Sequence, residues 1–118
     1  MGYREVYEQS IQDPTGFWSE AAKAIDWVTP PTVVLDDSAP PMYRWFSDGV
    51  LNTCHNAVDR HVAGARADQP ALVYDSPVTN AVRTYTFLDL RDEVAQLAGG
   101  LASLGVEKGD RVIIYMPM

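Results

Sequence analysis

The chain is poor in cysteine and lysine: Cys54 is its one thiol, and Lys23 and Lys108 are its two lysines. A single cysteine closes no intrachain disulfide and fits a reducing compartment, so the cytoplasm is the expected location. Cations are scarce in general, with 9 Lys and Arg against 16 Asp and Glu, for a net charge of -7. The acids are spread along the chain, and such a surface repels nucleic-acid phosphates and anionic lipid heads. Neither nucleic acid nor membrane is an expected partner. Long apolar runs are missing too. The longest near-apolar stretch is residues 112–118, far short of the roughly 20 residues a membrane span needs. Residues 1–13 are polar and acidic, unlike a secretory leader. Internal repeats and low-complexity tracts are absent.

What is present is ordinary for a folded protein: 118 residues, 47% hydrophobic and 21% charged, enough for one small domain or part of a larger one. Tyr3, Val6, Tyr7 and Ile11 fall at helical spacing and predict a short first helix. Asp13-Pro14 starts a second, because Asp13 can accept from free N–H groups and Pro14 needs no partner for its own nitrogen. Phe17, Trp18, Ala21, Ala22 and Ile25 form the stripe that follows, and Pro30-Pro31 closes it. Residues 32–35 are rich in β-branched side chains and predict a short strand; residues 42–46 read as extended.

The stretch 26–50 holds four prolines and little periodicity. It reads as an irregular arm anchored by Trp18, Trp27 and Trp45 on a larger body, since each aromatic can bury about 150–250 Å². A third helix is expected over residues 51–62, with Leu51, Cys54, Val58 and Val62 inward. Residues 71–74 and 82–85 predict two strands around a turn at 76–80.

The strongest local signal follows. Thr86 and Asp89 form a capping-box pattern with Asp in place of Glu. Leu90, Val94, Leu97, Leu101 and Leu104 then repeat at steps of four, three, four and three, an amphipathic helix. Gly105 suits the left-handed position after a helix. Gly109-Asp110 makes a turn, and residues 111–116 predict a strand whose Val112-Ile113-Ile114 core suits burial on both faces. Helix, tight turn and buried strand are the grammar of a layered α/β domain. That strand would lack a cover on its second face, so the domain is expected to continue past Met118, or the Val112–Ile114 edge to self-associate.

Three stretches together resemble the acetyl-/propionyl-CoA synthetase family of AMP-forming, adenylate-forming enzymes. The first is Tyr7-Glu8-Gln9-Ser10-Ile11 through Asp13-Pro14, Phe17-Trp18 and Ile25-Asp26-Trp27. The second is Arg44-Trp45-Phe46, Gly49, then Leu51-Asn52-Thr53-Cys54-His55-Asn56-Ala57-Val58-Asp59-Arg60-His61. The third is Thr84-Tyr85-Thr86-Phe87-Leu88-Asp89-Leu90, then Leu104-Gly105-Val106-Glu107-Lys108-Gly109-Asp110-Arg111-Val112 and Tyr115-Met116-Pro117-Met118. The third is shared widely among adenylate-forming enzymes. The first two resemble the N-terminal extension of the acetyl-CoA synthetase branch, and Cys54-His55-Asn56-Ala57 looks more like the propionyl-CoA type.

The resemblance implies the incomplete N-terminal portion of an adenylate-forming α/β fold. Residues 1–62 would be the extension and 63–118 the beginning of the AMP-binding domain, with the remainder of the synthetase chain as partner. It implies a two-step acid–thiol ligase using ATP, Mg²⁺ and CoA. The family's Thr/Ser/Gly-rich phosphate loop and late catalytic lysine have no counterpart in this sequence, since neither Lys23 nor Lys108 lies in a matching context. No catalytic, cofactor-binding or metal residue is therefore carried over, and the chain alone is expected to be inert.

Other groupings are weaker. Cys54 and His61 share a helical face but stand about 10.5 Å apart along the axis at 1.5 Å per residue, too far for one zinc ion, and His55 points elsewhere. Asp59-Arg60-His61 lacks the nucleophile a charge relay serves; a helix end with His61 favoured by the dipole is the plainer reading. Gly99-Gly100 and the glycines at 105–109 do not lead through Gly-Lys-Ser/Thr into a helix, and Asp110 would oppose phosphate. Gly99 and Gly100 are expected to permit close packing. Tyr43 and Phe46 with the three tryptophans are read as anchors of the arm, not a ligand platform. A stand-alone interaction module is the alternative to an enzyme segment.

Overall fold

The computed structural model describes residues 2–116, in two compact units divided between Ala57 and Val58. In the N-terminal unit, α1 spans Tyr3–Gln12 and α2 spans Pro14–Ala21. The Glu5 carboxylate accepts the Gly2 N–H at 2.9 Å at the start of α1. The Asp13 carboxylate caps α2, accepting the Gly16 N–H at 2.9 Å, with Pro14 in the first turn as predicted. A 3₁₀ turn over Ala22–Ala24 then ends the helical stripe, so Ile25 is already extended.

Four short strands follow: β1 Trp27–Thr29, β2 Leu35–Asp36, β3 Arg44–Trp45 and β4 Val50–Leu51. β1 pairs antiparallel with β4, and β2 with β3 inside it, so one two-stranded ladder is nested within another. This corrects two expectations. Residues 32–34 are not strand, because the Asp48 carboxylate takes the N–H groups of Thr32 (2.9 Å) and Val33 (3.1 Å) that a ladder would use. Leu51 belongs to β4, not to a helix, because it pairs with Trp27.

The expected third helix begins at Thr53. The Asn52 side chain accepts the His55 N–H at 3.0 Å and caps it. It widens into a π-helical turn over His55–Asp59 and ends as α3, Arg60–Ala63. Val58 is its buried residue, at 8% exposure.

The C-terminal unit holds a hairpin of β5 (Pro70–Ser76) and β6 (Ala81–Thr86), with α4 (Phe87–Ser103) in contact with both strands and with α3. Pro70 opens β5, where its missing N–H costs least. Asn80, at φ +50°, closes the hairpin in the left-handed region that Asn tolerates. Thr86 and Asp89 make the reciprocal capping box, and Gly105 and Gly109 take φ of +86° and +101° after the helix.

Residues 111–116 are not a strand. A strand exists only as a paired ladder, and among the described residues no neighbour pairs with this one. Ile113 and Tyr115 are 88% and 100% exposed. The stripe on α4 is likewise uncovered toward its end, at Leu97 and Leu104. The architecture is thus mixed α/β with small open sheets. Two separate compact bodies, each of half the chain's 13.0 kDa, would expose about 7,700 Å² in all by surface–mass scaling. The chain exposes 9849 Å², an excess of about 2,200 Å².

Candidate functional site

The N-terminal unit is organised by side chains that reach backbone. The Asn56 amide reads both polar groups of Asp26: its Oδ1 accepts the Asp26 N–H at 2.8 Å and its Nδ2 donates to the Asp26 carbonyl at 3.0 Å. The same Nδ2 lies 3.0 Å from the Asn52 carbonyl, at the entry to the π turn. His55 Nε2 stands 3.6 Å from the Asp26 carboxylate. The Asp48 carboxylate, which also accepts from the Thr32 hydroxyl, is pulled down to about 2, first by that hydroxyl and then by the N–H groups of Thr32 and Val33. Hydrogen bonds made to the charged form stabilise that form.

Around these clasps lies an aromatic chain. Phe17 meets Trp18 edge-on at 5.2 Å, Trp18 meets Trp45 at 6.2 Å, and Phe46 joins Trp45 and Trp27. Trp27 Nε1 donates to the Ala22 carbonyl at 2.9 Å. Phe46 holds φ +50°, uncommon for a bulky residue. It is held there because its N–H donates to Val34 O (2.9 Å) and its carbonyl accepts from Gly49 N–H (3.0 Å). The tryptophans were expected to be buried anchors. Trp18 and Trp45 instead remain 44% exposed and pack on one another. An apolar cleft of about 280 Å³ opens between Trp18, Ile25, Trp27, Phe46 and Leu51.

In the C-terminal unit, Arg66 ties three groups together. Its guanidinium lies 4.9 Å from the Phe87 ring centre, its Nε donates to Gln69 Oε1 at 2.8 Å, and its Nη1 is 3.4 Å from His61 Nδ1. The His61 ring stands 4.8 Å from the Phe87 ring. Partial burial, then the charges of Arg66 and Arg60, hold His61 below its usual 6.5. This direction corrects the expectation that a helix end favours a protonated His61.

The sequence-selected residues therefore fall into separate surroundings. His55 faces Asp26 while His61 faces Arg66 and Phe87. Among the described residues no group of three His, Cys, Asp or Glu side chains could hold a metal ion. The start of α4 offers nothing to an anion either. The Phe87 and Leu88 N–H groups donate to the carbonyls of Gln69 and Ala67 (3.1 and 3.0 Å), and the Asp89 N–H to Thr86 Oγ1 (3.1 Å). Asp110 Oδ2 accepts from the Glu107 N–H at 2.9 Å and fills the turn that a phosphate would need. Gly99 and Gly100 have open space where a Cβ would project, which corrects the expectation of close packing. The sequence patterns point to neither Asp48 nor Arg66 as an organising residue, and to Asn56 only through the family resemblance. Asp48-Gly49 after an aromatic pair was the available signal, with Gly49 lying against Trp27.

The comparisons with known proteins follow the same two-part division. Residues 58–118 match the model of the AMP-binding enzyme family. The chain belongs to that family. Residues 3–57 match the acetyl-coenzyme A synthetase N-terminus. The chain is 49% identical over 118 residues to the propionate–CoA ligase of Escherichia coli, covering 100% of itself and 19% of that protein. It is 46% identical over 116 residues to the human mitochondrial acyl-CoA synthetase short-chain family member 3, covering 98% of itself and 17% of that protein. Among solved structures it resembles the acetoacetyl-CoA synthetase from Streptomyces lividans, with TM-score 0.78 and 35% identity over 95% of this chain and 17% of that one. The chain thus spans about a fifth of the length of the curated relatives it matches. No helix among the described residues is long and apolar enough to cross a membrane.

Proposed function

We propose that this chain is the N-terminal scaffold segment of an AMP-forming short-chain acyl-CoA synthetase, with residues 1–62 as the extension and 63–118 opening the adenylation domain. The observation that carries the reading is similarity to a propionate–CoA ligase along the full 118 residues at 49% identity. The whole enzyme would join a short carboxylate to ATP, releasing pyrophosphate, and then exchange AMP for the CoA thiol. Propionate is the preferred acid on this reading, supported by Cys54-His55-Asn56-Ala57 and by the relative's name. The single cysteine fits a reducing compartment such as the cytoplasm.

ATP, Mg²⁺ and CoA would be held by the remainder of the synthetase chain. Two places where an anion could sit support this reading: the α4 N–H groups already donate to protein oxygens, and Asp110 occupies the glycine turn. The contribution of this segment is to support the body of the enzyme. The test is propionate-dependent exchange of pyrophosphate into ATP. The full-length protein should catalyse it, faster with propionate than with acetate, and the 118-residue chain alone should not. Exchange by the short chain would overturn the scaffold assignment; a full-length protein that exchanges with neither acid would overturn the ligase.

A second reading is favoured by one observation, the exposure of Val112, Ile113 and Ile114. On that reading the chain self-associates through this apolar segment and acts as an interaction module. A mass that stays monomeric across concentration by size exclusion with light scattering would sink it.

A further inference from the structure

We draw no further inference here: the strongest candidate, the apolar cleft between Trp18, Trp45 and Phe46 in the N-terminal unit, is an unpartnered aromatic surface, and nothing in the structure shows what covers it.

Discussion

Replacing Thr86 with alanine isolates one interaction with two independent readouts. Thr86 Oγ1 accepts the Asp89 N–H at 3.1 Å and donates to Asp89 Oδ2 at 2.7 Å, and Asp89 Oδ2 accepts the Thr86 N–H at 3.0 Å. The next two N–H groups of α4 do not depend on Thr86, because the Gln69 and Ala67 carbonyls take them. T86A therefore orphans one helix-end donor, not three. Loss of such a cap costs about 0.5–2 kcal/mol, and the partly exposed position, where water replaces some of the bond, places this one near the middle, at about 1 kcal/mol. Urea unfolding followed by helical circular dichroism reads that loss, and T86S should restore it.

The second readout is the Asp89 carboxyl. The Thr86 hydroxyl, then the Thr86 N–H, hold it below its usual 3.8. A depressed carboxylate contributes stability that is fully present above its unfolded value and lost as pH falls through its folded one. In T86A the carboxyl should move back up toward 3.8, seen by carbon NMR of that group. Unchanged stability with an unmoved Asp89 would show that the box is decorative and that the Gln69 and Ala67 carbonyls alone start the helix.

Four further substitutions test the same reasoning. D48N should lower stability at neutral pH and remove the part of the acid transition between about 4 and 2, since the folded surroundings lower the Asp48 pKa from 3.8 to about 2; an unaltered acid profile contradicts the clasp. G49A should cost about 1–3 kcal/mol, because its Cβ would lie 2.8 Å from the Trp27 ring and 3.2 Å from Pro31. G99A, with open space at its Cβ, should gain up to about 1 kcal/mol of helix propensity; melts that move in the same direction for both glycines would refute the packing. R66Q should raise the His61 pKa toward 6.5, followed by imidazole NMR. Wild-type stability from this ring falls as pH drops below 6.5, because the unfolded state takes the proton first. A fall in the His61 pKa in R66Q would contradict the assigned charge effect.

The features legible in the sequence are those written within a few residues. Asp13-Pro14, the Thr86–Asp89 box, the turn between β5 and β6, and Gly105 each carry their cause locally, and each stands where its pattern put it. Residues 111–116 show the limit. Their apolar pattern describes what a strand needs on its faces, but pairing depends on a neighbour elsewhere in the chain. The nested ladders were illegible for a related reason. They are fixed by Asp48 reaching Thr32 across 16 residues and Asn56 reaching Asp26 across 30, and nothing in the periodicity announces a side chain that binds distant backbone. The tryptophans were read as buried because ring area predicts burial, yet packing on one another leaves Trp18 and Trp45 part in solvent. The family was legible through motif stretches in order, as the match to the AMP-binding enzyme family bears out.

On the proposed scaffold role, the exposed apolar residues 111–116 are covered by further protein. Hydrogen exchange of residues 111–116 tests it most directly, compared between the 118-residue chain in dilute solution and the same residues within the full-length protein. Exchange should run near the unprotected rate in the short chain and be strongly slowed in the long one. Equal protection in both would mean that these residues find their partner without the rest of a synthetase, and the scaffold reading would fall.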